Sequence, residues 1–329
     1  EYAEKNRAIL KEQIIPSYKK IGHCLKEVRG TAENTGGLCH TEGGSDYYAY
    51  LLKSMVGSGH TPEEMLALVE DQIQQDMTEM FMIMSGSPEL LEGFDGTIQE
   101  DRTPEEILEY LKEAMKDEYP ELPVEASYQI KYVPKYMEEG TSPAFYLTPP
   151  YDLPGENTIY INNSSTDESS LFSTLAHEGY PGHLYQTVYA SAAFSNPIRN
   201  LLSYLGYAEG WGFYVEHESY AMNDKLTSQS EDLARLHRLN SSVGIAVHAL
   251  VDLKIHYEGC SPEEIRTLLA SYFGDLGEEA VRELYDLIVS EPAYYLKYYG
   301  GYLEFLLLRE KAEDQLEEKF DLKEFHRFL

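Results

Sequence analysis

His177 and Glu178 stand side by side in the segment LAHEGYPGHLYQ (175–186), and a second histidine, His183, follows six residues after the first. Two imidazoles and a carboxylate in so short a span are the materials of a zinc hydrolase, in which neutral imidazoles ligate the ion and a glutamate next to the first ligand acts as general base on water. Ligands four residues apart on a helix are separated by about 40° and can share an ion, whereas residues six apart differ by roughly 240° and face away from each other. Pro181 removes the conflict. It has no N–H to offer the His177 carbonyl, its ring clashes there, and it pushes Tyr180 out of the α region. The segment is therefore predicted to be two helices, one ending near Glu178 and one starting near Pro181, with His183 swung back towards His177. Gly179 and Gly182 leave the backbone free to take unusual dihedrals on either side.

A catalytic zinc takes three protein ligands and one water. The next suitable acidic residue is Glu209 in YAEGWGFYVEHE, 26 residues beyond His183, a spacing that fits a helix, a turn and a returning helix. Glu216 lies two turns further on and is either a partner for a ligating histidine or an alternative ligand. The competing reading makes His177 and His183 hydrogen-bonded core groups. The acidic helix downstream, the Gly-Pro-Gly context and the strand NTIYINNS just upstream favour the metal, since an edge strand beside a metal helix can hold a substrate backbone.

These residues need helices to carry them. Segments TPEEM at Thr61, TPEEI at Thr103 and SPEEI at Ser261 each place a hydroxyl cap, a proline at the first helical position and a glutamate three residues after the cap. The first leads into Met65, Val69, Ile73, Met77 and Phe81, an apolar stripe facing a core. Further helical patterns cover about 197–223, 229–258, 276–290 and 302–318. Residues 127–163 are rich in Tyr, Pro and Gly, and Thr158–Asn162 alternates, with Ile159 and Ile161 on one face and Tyr160 on the other. The prolines there argue for edge strands and turns. The expected architecture is one mainly α domain over 1–329, with a small antiparallel β insertion at about 127–163 and metal-site helices at about 167–223.

The chain has 329 residues, of which 43% are hydrophobic, so it can bury a substantial core. Its 57 acidic against 26 basic residues give a net charge of -31, which would repel a phosphate backbone or an anionic membrane surface and makes nucleic acid a poor partner. Cys24, Cys39 and Cys260 form no close-spaced pair, so neither a zinc ribbon nor a disulfide framework is indicated. No apolar run approaches the roughly 18 residues of a membrane span, so no integral membrane segment is expected. The chain begins at Glu1 without a methionine, and an upstream segment is expected to have been removed, with a lean towards an extracytoplasmic location.

The sequence resembles the bacterial domain of unknown function 885 family, which looks like a distant branch of the gluzincin metallopeptidases. The residues that carry the resemblance are HEGYPGHLYQ (177–186), EGWGFYVEH (209–217), DLKIHYEG (252–259) and YYLKYYGGYLEFLLLREKA (294–312), with matching segments in 16–65. The match spans nearly the whole chain, which looks like the catalytic C-terminal part of longer members. The resemblance implies one zinc held by His177, His183 and Glu209, with Glu178 as base. It also implies a late tyrosine that steadies the oxyanion, for which Tyr298 is the choice. Tyr294, Tyr295 and Tyr299 are then packing or pocket wall. His256 is a second oxyanion-donor candidate, or else a helix-interior histidine bonded to a neighbour such as Asp252. The implied activity is hydrolysis of short peptides in the manner of a carboxypeptidase or dipeptidase, with Arg235, Arg238, Lys254 or Lys297 holding a substrate carboxylate. A metal-dependent esterase or amidase would use the same residues. A non-catalytic binding protein would keep them as a vestigial site.

Overall fold

In the computed structural model Thr61, Thr103 and Ser261 each cap a helix as expected. Glu64 Oε2, for example, accepts the Thr61 N–H at 2.8 Å while Thr61 Oγ1 accepts the Glu64 N–H at 3.2 Å. The structure describes residues 2–31, 34, 36–94, 96–150, 153, 155–164, 170–193, 196, 198–199, 202 and 204–329.

Helices α1 (Tyr2–Ile9) and α2 (Ile15–Val28) run together through a π-helical turn at Leu10–Ile14, and none of their residues is buried. Next come α3 (Gly44–Leu51), prolonged by a π turn at Leu52–Val56, then α4 (Pro62–Gly86), α5 (Pro88–Gly93) and α6 (Pro104–Ala114). Three strands follow: β1 (Ser127–Tyr132), β2 (Ala144–Leu147) and β3 (Glu156–Ile161). The site region is α7 (Leu171–Glu178), α8 (His183–Ala193) and α9 (Leu205–Met222), followed by the short α10 (Asp224–Thr227). The chain closes with α11 (Glu231–Leu253), a π turn at Lys254–Glu258, α12 (Pro262–Phe273), α13 (Glu278–Ser290), α14 (Tyr294–Leu316) and α15 (Leu322–Phe328). The fold is mainly α with one small sheet. No helix among the described residues is long and apolar enough to cross a membrane.

Three expectations need correction. The sheet is mixed, in the order β1-β3-β2, with β1 parallel to β3 and only β2 antiparallel to it. The strand that reads most clearly in the sequence is thus the central one, paired on both sides, and the edge beside the site belongs to β2. Helix α14 starts at Tyr294, eight residues before the expected 302. Its Gly300–Gly301 pair is no breaker, because both positions are pressed against neighbours. A Cβ on Gly300 would meet Val56 Cγ1 at 3.2 Å, and one on Gly301 would stand 2.2 Å from the Gly206 carbonyl oxygen. The apolar stripe of α4 is buried at Met65, Val69 and Ile73 but ends before Phe81, which is 68% exposed. Helices α4 and α11 are antiparallel, linked by Lys254 to Glu70, Ser242 to Asp76 and Arg235 to Glu79, and near the start of α11 it is Ile83, 6% exposed, and not Phe81 that turns inward. Of the expected helix from 197, residues 197, 200, 201 and 203 lie outside the described ones, as do 167–169 of the metal-site helices.

The core is formed chiefly by α4, α9, α11 and α14 with α7 beneath the sheet. Helices α9 and α14 touch through their backbones, because a Cβ on Gly210 would lie 2.4 Å from the Gly301 carbonyl carbon. That contact sets α9, which carries Glu209, against α14, which carries Tyr298.

Candidate metal centre

Helix α7 stops at Glu178 and α8 begins at His183, with a cis bond between Tyr180 and Pro181, so the interruption predicted from Pro181 is present. The Trp211 indole N–H donates to the Pro181 carbonyl at 2.9 Å and ties the interruption to α9. Gly179 takes the unusual backbone conformation expected of it, with φ -112° and ψ -97°, although neither glycine has a positive φ. They are places of close approach: a Cβ on Gly182 would stand 1.8 Å from the His177 carbonyl oxygen, and one on Gly179 2.4 Å from Leu108 Cδ2.

The interruption turns the two imidazoles towards each other. His177 Nε2 and His183 Nε2 are 3.1 Å apart, with the rings nearly perpendicular at 88°. Glu209 Oε2 completes a triangle, 3.6 Å from His177 Nε2 and 3.4 Å from His183 Nε2. A tetrahedral zinc with bonds of about 2.0–2.1 Å spaces its donor atoms by about 3.4 Å. The three edges bracket that value, and two nitrogens with one carboxylate oxygen are a donor set zinc accepts. Among the described residues this is the one group of three such side chains with donor atoms this close.

The neighbours orient the triangle. Glu216 Oε2 lies 3.0 Å from His177 Nδ1, so Glu216 is a partner of His177 and not a corner of the triangle, and Nε2 is left to face the other donors. Burial alone would lower the His177 pKa, but the hydrogen bonds to Glu209 and Glu216 outweigh it and raise the ring to about 10. Burial would likewise raise Glu209, and its hydrogen bonds to His177 and His183 instead hold it far below the ordinary carboxylate range. Gly212, one turn from Glu209, is the glycine against which the His177 ring lies. A Cβ there would be 2.6 Å from His177 Nε2.

The triangle lies in a cleft of about 790 Å³. Glu178 faces the same cleft, and its Oε2 accepts the Tyr146 N–H of β2 at 2.7 Å. Antiparallel pairing alternates, so with Tyr146 N–H turned away from β3 the backbone groups of Ala144 and Tyr146 form the open edge beside the cleft. Tyr298 stands on the opposite wall, its ring 6.4 Å from that of His177. Burial, the charge of Glu209 and a hydrogen bond to Tyr294 push its hydroxyl pKa upward, so it stays protonated. Tyr294 and Tyr295 are cleft wall, as expected, while Tyr299 points the other way into the core, 3.4 Å from Ser242 Oγ. Helix α14 is anchored at its start, where Ala293 takes a left-handed φ of 64° and donates its N–H to Asp252 Oδ1 at 3.1 Å. Tyr48 donates to the same oxygen at 2.6 Å, Oδ2 has no partner, and burial raises the Asp252 carboxyl to about 7.

His256 is not brought to the cleft. Its Nδ1 accepts the Leu38 N–H at 3.1 Å and its Nε2 donates to the Ile288 carbonyl at 2.9 Å, so both ring nitrogens are engaged in packing the π turn after α11 against the turn Leu38–His40 and against α13, and not with Asp252. The histidine that does face the cleft is His248, two turns earlier on α11, beside Asn240, Ser241, Gly244 and Ile245. Of the cations considered for a substrate carboxylate, Arg235 and Arg238 pair with Glu79, and Lys254 with Glu70 and Glu258. Lys297 alone reaches the site, 3.9 Å from Glu209 Oε1.

The family described as bacterial protein of unknown function (DUF885) matches residues 1–329. No curated protein matches. Two solved structures share the fold: "the putative lipoprotein from Colwellia psychrerythraea" (22% identity, TM-score 0.79, covering 97% of this chain and 58% of that one), and "a putative lipoprotein of unknown function from Shewanella oneidensis" (18%, 0.63, 96% and 60%). The present chain thus spans about three-fifths of the length of those proteins.

Proposed function

We propose that this chain, which belongs to the bacterial family of unknown function DUF885, is a zinc-dependent hydrolase of peptide bonds, similar in its site to the gluzincins and acting on short peptides. The observation that carries the reading is the His177–His183–Glu209 triangle, with edges of 3.1, 3.4 and 3.6 Å, next to a carboxylate that is not part of it. When bound, zinc supplies Lewis acidity, polarising a carbonyl and acidifying water. Glu178 takes the proton from the attacking water and returns it to the leaving nitrogen, its carboxylate held in orientation by the Tyr146 N–H. Tyr298, protonated and facing the cleft, donates to the substrate oxygen as negative charge develops there. With the Tyr146 N–H taken by Glu178, the open edge of β2 offers the N–H and carbonyl of Ala144 and the carbonyl of Tyr146 to an extended peptide. An extracytoplasmic location is part of the same reading, in keeping with the descriptions of the two structural neighbours.

Dialysed protein supplied with trace zinc should retain one ion per chain by elemental analysis, and His183→Ala should lose most of it. Glu178→Gln should keep the zinc and lose peptide turnover by about 10²–10⁴, the usual contribution of a general acid–base group. Folded protein that takes up no zinc would leave a binding protein with a vestigial site. Turnover of esters without peptides would assign the same residues to an esterase.

A further inference from the structure

The charge of the cleft speaks to what kind of peptide it takes. Its walls include Glu178, Glu209 and Glu216 and neither a lysine nor an arginine. This is a complete statement for the cations, because every Lys and Arg of the sequence is among the described residues. The nearest ammonium, Lys297, has a side chain only 12% exposed, pairs with Glu209 and is held between the rings of Tyr294 (4.0 Å) and Tyr298 (4.8 Å). It is committed to Glu209 and two tyrosines, and turning it to a substrate carboxylate would strip Glu209 Oε1 of its ammonium. Arg235, Arg238 and Lys254 are paired outside the cleft. His248 adds an acceptor: its Nδ1 can only donate to the Gly244 carbonyl, 2.8 Å away, which in the neutral ring leaves Nε2 as a lone pair. The three carboxylates are matched by one divalent ion and Lys297 together, so the loaded cleft has no surplus positive charge for a substrate carboxylate, and the chain as a whole carries -31.

From this we infer that the cleft binds peptides by their backbone, does not read a free C-terminal carboxylate, and favours cationic over anionic side chains. The inference rests on the peptidase reading above and narrows it, away from the carboxypeptidase-like substrates that the sequence suggested. The open edge of β2 is the means, since strand pairing uses groups that every peptide has and needs neither chain end.

The test compares peptides of one length and sequence as free acid and as C-terminal amide, and compares a Lys-containing with a Glu-containing peptide, on the zinc-loaded protein. The amide should be cleaved with a kcat/KM at least equal to that of the acid, whereas a site holding the carboxylate by a charge-assisted hydrogen bond would lose about 10- to 100-fold on amidation. The Lys peptide should be preferred, and the preference should shrink as salt rises. Calorimetric titration of the same four peptides into Glu178→Gln protein reads the preference without turnover. A free acid preferred tenfold in either assay, or a Glu peptide preferred over Lys, overturns the inference while leaving the peptidase reading intact. Failure to cleave any of the four, with zinc bound, overturns both.

Discussion

Gly212 offers a way to move one imidazole without touching a ligand. An alanine there would put its Cβ 2.6 Å from Nε2, 2.7 Å from Cε1 and 3.0 Å from Cδ2 of His177. Non-bonded carbon contacts settle at about 3.5–4.0 Å, so the ring must retreat by about 1 Å. Metal sites tolerate errors of only about 0.2 Å in their bonds. The displacement therefore opens the triangle and stretches the 3.0 Å contact that Glu216 makes with Nδ1. Loss of an outer partner of a metal ligand typically costs 10- to 100-fold in affinity, so Gly212→Ala should weaken zinc binding by about that factor or more. The fold should survive. Alanine gains about 1 kcal/mol over glycine within a helix, which offsets much of the roughly 1–3 kcal/mol cost of overpacking. Zinc affinity by competition with a chromophoric chelator, together with the thermal midpoint of zinc-free protein, separates the two effects. Gly244→Ala is the control, because a Cβ there meets nothing within 4 Å and zinc affinity should not change. Parental zinc affinity in Gly212→Ala would refute the reasoning, showing that His177 is no ligand or that its ring does not rest against α9.

Two further outcomes follow from groups on α14 and at its anchor. Tyr298→Phe should lower kcat about 10²–10³-fold with KM and zinc content nearly unchanged, while Tyr299→Phe, whose hydroxyl faces Ser242 in the core, should keep turnover and lose about 1 kcal/mol of stability; the reverse pattern would reassign the donor. Asp252 is raised to about 7 in the fold from 3.8, so the folded state holds its proton more tightly, and the stability this contributes is full below about pH 4 and lost as pH rises through 7. Asp252→Asn removes that loss, so its urea-derived stability relative to the parent should climb by about 2–4 kcal/mol between pH 4 and pH 8, and a difference that stays level would show that the carboxyl is ionised throughout.

The helix break and the convergence of His177, His183 and Glu209 were legible in the sequence because both depend on local rules: a proline cannot continue a helix, and 26 residues bring a returning helix beside its predecessor. The same holds for the capping boxes. What was hidden depends on tertiary partners. Whether β1 pairs parallel or antiparallel is decided by the path of the chain between strands, and turn-rich composition says little about it. The dihedral freedom read at Gly179 is used, but the close approaches at 179, 182 and 212 are invisible until an opposing leucine, carbonyl or imidazole is in place. His256 was misplaced for a reason of phase. It falls in the π turn Lys254–Glu258, where the wider turn alters the rotation per residue and aims it at Ile288, while His248 lies in regular helix and keeps its face on the cleft. The basic residues near the key segments were candidates until the fold supplied Glu70, Glu79 and Glu258 as their partners.

The backbone contact at Gly206, Gly210 and Gly301 has a mechanical meaning. Elsewhere in a core, side chains between two helices can change rotamer and let the helices slip. Here no such cushion exists, and a small slide of α9 along α14 drives carbonyl oxygen into carbon. Glu209 and Tyr298 thus share one rigid frame, and thermal fluctuation leaves the span between them nearly constant. Any widening of the cleft then falls to the other walls, to β2 and the cleft-facing side of α11, while the side that carries Glu209 and Tyr298 keeps its span.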